Sequence, residues 1–162
     1  MNHPVVDAAL APIRAQLDAD RALTSMYGDH YQRLVRLAAL LVPDVASAEN
    51  VVQDSFAAMH TAWRRLGDGD KALAYLRHSV VNRSRSVRRR PGVPASPGNV
   101  AVAGALGSLP ARQREALVLR YYGDLPEAQV AAAMGVSERA VRRHVDGAIA
   151  ALRGVLEMDS RW

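Results

Sequence analysis

An all-α protein of two small helical domains is what this sequence predicts, and three observations carry the prediction. Ala, Leu and Arg recur through long segments at spacings of three and four, the interval at which side chains share one face of a helix. Runs that alternate with period two are few, and the chain has only one Phe and two Trp to build sheet-like faces. A charge-free stretch with three prolines and four glycines, Pro91 to Ser108, divides the periodic segments into two groups.

The 162 residues suffice for one medium domain or two small ones, and at 49% hydrophobic content they can bury cores made mostly of Ala, Leu and Val. Net charge is +5, the isoelectric point is near 10.2, and Lys71 is the single lysine among 21 Lys and Arg residues. A polyanion partner follows, because the guanidinium fork pairs bidentately with phosphates and guanine edges. GC-rich coding also favours Arg over Lys, so the clustered positive excess carries this inference. The absence of cysteine excludes disulfides, thiol catalysis and Cys-containing zinc sites. The opening MNHPVVDAALAPIR lacks the basic start and apolar core of a signal peptide, and no 18-residue apolar run is present. A soluble, cytoplasmic protein without membrane insertion is expected.

In chain order, Val5 to Leu23 has a helical pattern in which Pro12 predicts a kink or a break, and no function attaches to it. Tyr27, Tyr31, Leu34, Val35, Ala38 and Leu41 mark a second helix from Thr24 to Val42, ended by Val42-Pro43-Asp44. The next starts near Asp44 to Ser47 and turns Ala48, Val52, Ser55, Phe56, Met59, Trp63 and Leu66 inward. These two should pack antiparallel. Gly67 to Asp70 then reads as a turn; a calcium loop would need further ligands and a closing Glu that are missing, so no metal site is expected.

The helix that follows, Lys71 to Arg90, turns Leu73, Leu76, Val80, Ser84 and Val87 to the core and places Tyr75, His78, Asn82, Arg85 and Arg89 on the opposite side. Asn bonds base edges, Arg and His bond phosphates or bases, and Tyr stacks on unpaired bases, so this side suits duplex or single-stranded DNA. Arg88, Arg89 and Arg90 also suit a helix C-terminus electrostatically, and the two roles do not compete. Within the connector, Val100 to Leu106 has the makings of a short helix. Pro110 then opens another, PARQREALVLRYY, which stops at Gly123.

The last two helices follow helix-turn-helix grammar: Pro126 to Met134, a stop at Gly135, and a restart capped by Ser137 and running to Leu156. Val141, Val145, Ala148, Ile149, Leu152, Val155 and Leu156 form its apolar stripe, with Arg139, Arg142, Arg143 and Asp146 turned away. Ser137, Arg139, Arg142, Arg143 and His144 occupy the first two turns, where a recognition helix meets the major groove. An Arg-rich helix is also simply well solvated; the N-cap, the glycine turn and the basic chain favour DNA.

Taken together, DVASAENVVQDSF (Asp44 to Phe56), AYLRHSVVNRSRSVRRR (Ala74 to Arg90), LPARQREALVLRYYGDLPEAQVAAAMGVS and the last helix, in this order around a Pro/Gly linker, resemble the extracytoplasmic-function sigma factors of bacterial RNA polymerase. The resemblance implies residues 25–90 as the region 2 domain, 91–108 as linker and 109–162 as the region 4 domain, with 1–24 a helical extension. It implies docking on the clamp helices of the largest core polymerase subunit through Glu49, Asn50, Val52, Gln53 and Asp54, an acidic and amide-rich patch suited to arginines. It gives the minus-ten promoter element, as flipped bases, to the Leu66 to Ala74 loop and the Tyr75 to Arg89 face, and the minus-thirty-five duplex to the last helix. An anti-sigma factor is a further partner compatible with the family. Asn50 stands where the family usually has an acid, and Glu138-Arg139 where it often has two small residues, so the promoter sequence does not carry over from relatives.

A stand-alone LuxR-like regulator would explain the C-terminal third but leaves Asp44 to Phe56 and the Asn82 helix without a role. For an enzyme the signals are missing: His3, His30, His60, His78 and His144 make no HExxH pair, and no phosphate loop or nucleophile elbow occurs. No catalytic residue and no cofactor is expected.

Overall fold

The computed structural model describes residues 4–87 and 100–159, and these are mostly helical with no strand among them. Helix α1 (Pro4–Ala39) is followed by α2 (Val45–Leu66), α3 (Gly69–Ser84), α4 (Val100–Gly107) and α5 (Ala111–Leu117). A π-helical turn, Val118–Tyr122, leads on to α6 (Glu127–Met134) and α7 (Glu138–Asp159).

The first two expected helices are one: α1 runs on across the expected junction at Leu23 and Thr24, and it passes Pro12 without ending. A proline inside a helix loses a backbone bond and costs about 3 kcal/mol. Strong helix formers flank it here, and Arg14 reaches across it to Asp7 at 3.2 Å. Beyond α1 the boundaries follow local chemistry. Asp44 caps α2, one carboxylate oxygen accepting from the Ser47 amide at 2.7 Å and the other from its hydroxyl at 3.0 Å. Gly67, at φ 79°, ends α2 in the left-handed region, and Asp68 caps α3 through the Lys71 amide at 2.8 Å.

Leu34, Leu37 and Ala38 of α1 meet Val52, Phe56 and Met59 of α2 and Leu76, Val80 and Val81 of α3 in the first core. Tyr27 stacks on Tyr31 at 4.3 Å and leans on Phe56 at 5.2 Å. The C-terminal core gathers Ala116, Leu119, Val130, Met134, Val141 and Ala148. These cores are continuous, since α3 packs on α6 and the end of α1 touches the π turn. The π turn, with the Gly123 amide bonded to the Val118 carbonyl at 2.9 Å, brings the chain close at Gly123. A Cβ there would lie 2.7 Å from the Leu119 carbonyl oxygen and 3.3 Å from Leu37 Cδ1. The left-handed residue of this turn is Asp124, at φ 51°.

Candidate nucleic-acid interface

The helix-turn-helix forms as its residue order dictates. Gly135 takes φ 69° and donates to Ala131, ending α6; Ser137 Oγ accepts from the Ala140 amide at 3.1 Å and starts α7. Val141 and Ala148 are fully buried, whereas Arg139, Arg142 and Arg143 are exposed on the first two turns. Arg142 is tied to Glu127 of α6 at 2.7 Å. His144 is half-buried, and burial, followed by the charges of Arg143 and Arg112, holds its imidazole below the ordinary value. It is therefore neutral at pH 7. A neutral ring beside two exposed guanidinium groups can accept as well as donate at a base edge.

The polar side of α3 is engaged. Tyr75 is half-buried against the core, and His78 Nδ1 donates to the Ala133 carbonyl at 2.9 Å. Arg85 pairs with Glu115 through Nε to Oε1 at 2.7 Å and Nη2 to Oε2 at 3.0 Å. Asn82 is exposed, while Arg89 lies outside the described residues. Between α3 and α6 a cleft of about 390 Å³ is lined by Asp70, Leu73, Arg77 and Gln129. The α3 face thus splits between solvent and the C-terminal unit.

On α2, Glu49, Asn50, Gln53 and Asp54 are exposed together. Val52 is not: it is 0% exposed, seated in the first core, and cannot present its side chain to a partner. The patch named for polymerase therefore loses Val52. A second cleft of about 340 Å³ beside it joins Asn50 and Asp54 to Arg83.

Sequence reading did not single out Arg77, Arg112, Glu115 or Gln129. The signal for one pair was present, since Arg112 and Glu115 stand three apart on a helix. Nothing local pointed to Arg85, thirty residues earlier.

Fold and site together define a two-part helical protein whose C-terminal unit is a helix-turn-helix. Residues 26–92 match the family model for Sigma-70 region 2, and residues 99–152 the model for Sigma-70, region 4. The chain is 30% identical to the RNA polymerase sigma-E factor of Streptomyces coelicolor, over 79% of this chain and 84% of that one. To the ECF RNA polymerase sigma factor SigL of Mycobacterium tuberculosis it is 29% identical, over 91% and 97%. Among solved structures, CnrH in complex with the cytosolic domain of CnrY is similar, with a TM-score of 0.72 and 28% identity over 91% of this chain and 95% of that one. The chain belongs to the extracytoplasmic-function sigma factors, and as such is a transcription initiation factor of bacterial RNA polymerase.

Proposed function

We propose that this sigma factor grips its promoter at two places while docked on core polymerase. Residues 25–90 dock through Glu49, Asn50, Gln53 and Asp54 on the clamp helices and hold the opened minus-ten element through Tyr75, His78, Asn82, Arg85 and Arg89. Residues 109–162 read the minus-thirty-five duplex through Ser137, Arg139, Arg142, Arg143 and His144, and 91–108 link the two. The observation that carries this is the presence, in one chain and in family order, of both sigma regions.

Each good Arg-to-guanine pairing is worth about 1 to 3 kcal/mol of discrimination, and phosphate contacts add salt-dependent affinity without sequence preference. Neither domain alone binds tightly. Held on polymerase at a fixed spacing, the second contact becomes intramolecular, and capture of extruded bases offsets part of the cost of unstacking. Polymerase supplies the chemistry. The chain contributes no catalytic group, and it works in the cytoplasm, where its polymerase is. Among the described residues no helix is long and apolar enough to cross a membrane. CnrH was solved with the cytosolic domain of CnrY, and a comparable anti-sigma partner is proposed for this chain.

Mixing the purified chain with core polymerase tests this: co-elution and initiation at promoters mapped by transcript sequencing are expected. Tight duplex binding by the chain alone, without co-elution or initiation, would instead identify a stand-alone regulator.

A further inference from the structure

Glu115 is an acid placed where water scarcely reaches. It is 3% exposed, and Arg112 on the same helix approaches it only to 3.5 Å. A buried carboxylate is costly unless paired and hydrogen-bonded. The closer pairing comes from the other half of the chain, where Arg85 grips both carboxylate oxygens, at 2.7 and 3.0 Å. Two-pronged contacts of this kind are the strongest of their class.

The same guanidinium does a second thing. Arg85 Nη2 donates to the Met134 carbonyl at 3.2 Å, and Arg112 donates to that oxygen at 2.9 Å. Met134 closes α6, where carbonyls lack helical partners and the dipole is negative. Two cations therefore cover this helix end, with Glu115 between them. His78 takes the neighbouring Ala133 carbonyl, and Arg77 reaches Gln129 at 3.5 Å. Two residues of α3 and its C-cap residue, Arg85, thus donate to α6 or to the acid beneath it.

We propose that Arg85 and Glu115 form an intramolecular clasp that holds the sigma factor closed, and that Glu115 competes with promoter DNA for one edge of the Arg85 guanidinium. The competition rests on assigning the α3 face to the minus-ten element; the closure does not. Nε and Nη2 make up the edge that accepts a carboxylate or a phosphate two-pronged. With Glu115 on that edge, a phosphate cannot take it. Opening is an exchange rather than a loss, because Glu115 keeps Arg112 and gains water while Arg85 gains the nucleic acid. Whatever separates the two units, core polymerase first of all, releases the edge.

The absence of cysteine makes the test clean. Thr61→Cys on α2 and Ala150→Cys on α7, both exposed, carry a fluorescent donor and acceptor on the full chain. A high-transfer population is expected, and Glu115→Gln should raise the open-to-closed ratio roughly tenfold or more, the scale of a lost charged hydrogen-bond pair. Helical circular dichroism should stay unchanged. Transfer that does not move overturns the clasp. In a second arm, Arg77→Cys and Gln129→Cys are bridged by a short bismaleimide, and initiation with core polymerase is read on a template premelted at the minus-ten element. Loss of initiation on bridging, with activity kept by the unbridged variant, supports the competition; equal activity overturns it. Failure of the unaltered chain to initiate on any template overturns the sigma assignment and the competition with it, while the transfer measurement still decides the closure.

Discussion

Arg142 Nη1 lies 2.7 Å from Glu127 Oε2, so an arginine on the α7 turns proposed to meet DNA is held by the helix before it. Exposed pairs of this kind contribute about 0 to 1 kcal/mol. Arg142 must share or surrender that partner to meet DNA, whereas Arg143 is exposed without a recorded ion pair among the described residues. Arg143→Ala should therefore weaken minus-thirty-five duplex binding by about 1 to 3 kcal/mol if it reads a base. Arg142→Ala should cost less. Fluorescence anisotropy at fixed salt compares them, and a larger loss for Arg142→Ala would reverse the ranking.

Asn82 is an exposed member of the α3 face. Asn82→Ala should slow promoter opening while leaving association with core polymerase unchanged. Permanganate reactivity of the minus-ten thymines reports the first and co-elution the second; a defect confined to co-elution would count against the assignment.

Asp44 is 2% exposed and spends both oxygens on Ser47. Asp44→Ala should lower stability by about 0.5 to 2 kcal/mol, the usual range for a lost N-cap. Asp44→Asn should retain most of it. Denaturant melts followed by circular dichroism measure both.

Gly135 sits at φ 69°, in the turn between α6 and α7. Space is not the obstacle to a side chain, since the nearest atom to a built Cβ is His78 Cε1 at 3.7 Å. The backbone is. Gly135→Ala should cost about 1 to 2 kcal/mol from left-handed strain, and Gly135→Asn less. Thermal melts should order the three proteins accordingly.

His144 gives stability a pH dependence. Burial, followed by the charges of Arg143 and Arg112, lowers its pKa in the folded chain, so the unfolded chain takes up the proton first as pH falls. Its contribution is full above the unfolded value of about 6.5 and declines from there until the lower folded value is passed. His144→Gln should flatten that part of the curve. Melts between pH 7.5 and pH 5, read by circular dichroism on both proteins, check this at about half-unit steps; parallel curves would remove His144 as the cause.

Much of this architecture was written locally. Asp44, Gly67, Gly135 and Ser137 each act through neighbours within a few residues, and their helix boundaries could be read without the fold. Helical periodicity also placed Val52 inside, and its full burial agrees; carrying a docking motif over as a block had placed it outside as well. Continuity of α1 through Pro12 was not legible, because proline's local penalty is visible in sequence and the support of its flanks is not. Nor was the close packing at Gly123, where a Cβ would meet Leu37 of α1, more than eighty residues earlier in the chain. A helical wheel shows which side of α3 is polar, but not that α6 covers part of it. The Arg85 to Glu115 contact was hidden for the same reason.

Helix α1 spans 36 residues, about 54 Å at 1.5 Å per residue, yet its buried positions begin only at Ala19. Val5, Val6, Ile13 and Leu17 are exposed, so the first four turns have little apolar burial to stabilise them against fraying. The two ends of this one rod therefore belong to different cooperative units. Backbone amides before Ala19 should exchange with deuterium through local opening, and those around Leu34 to Ala38 only when the whole bundle comes apart.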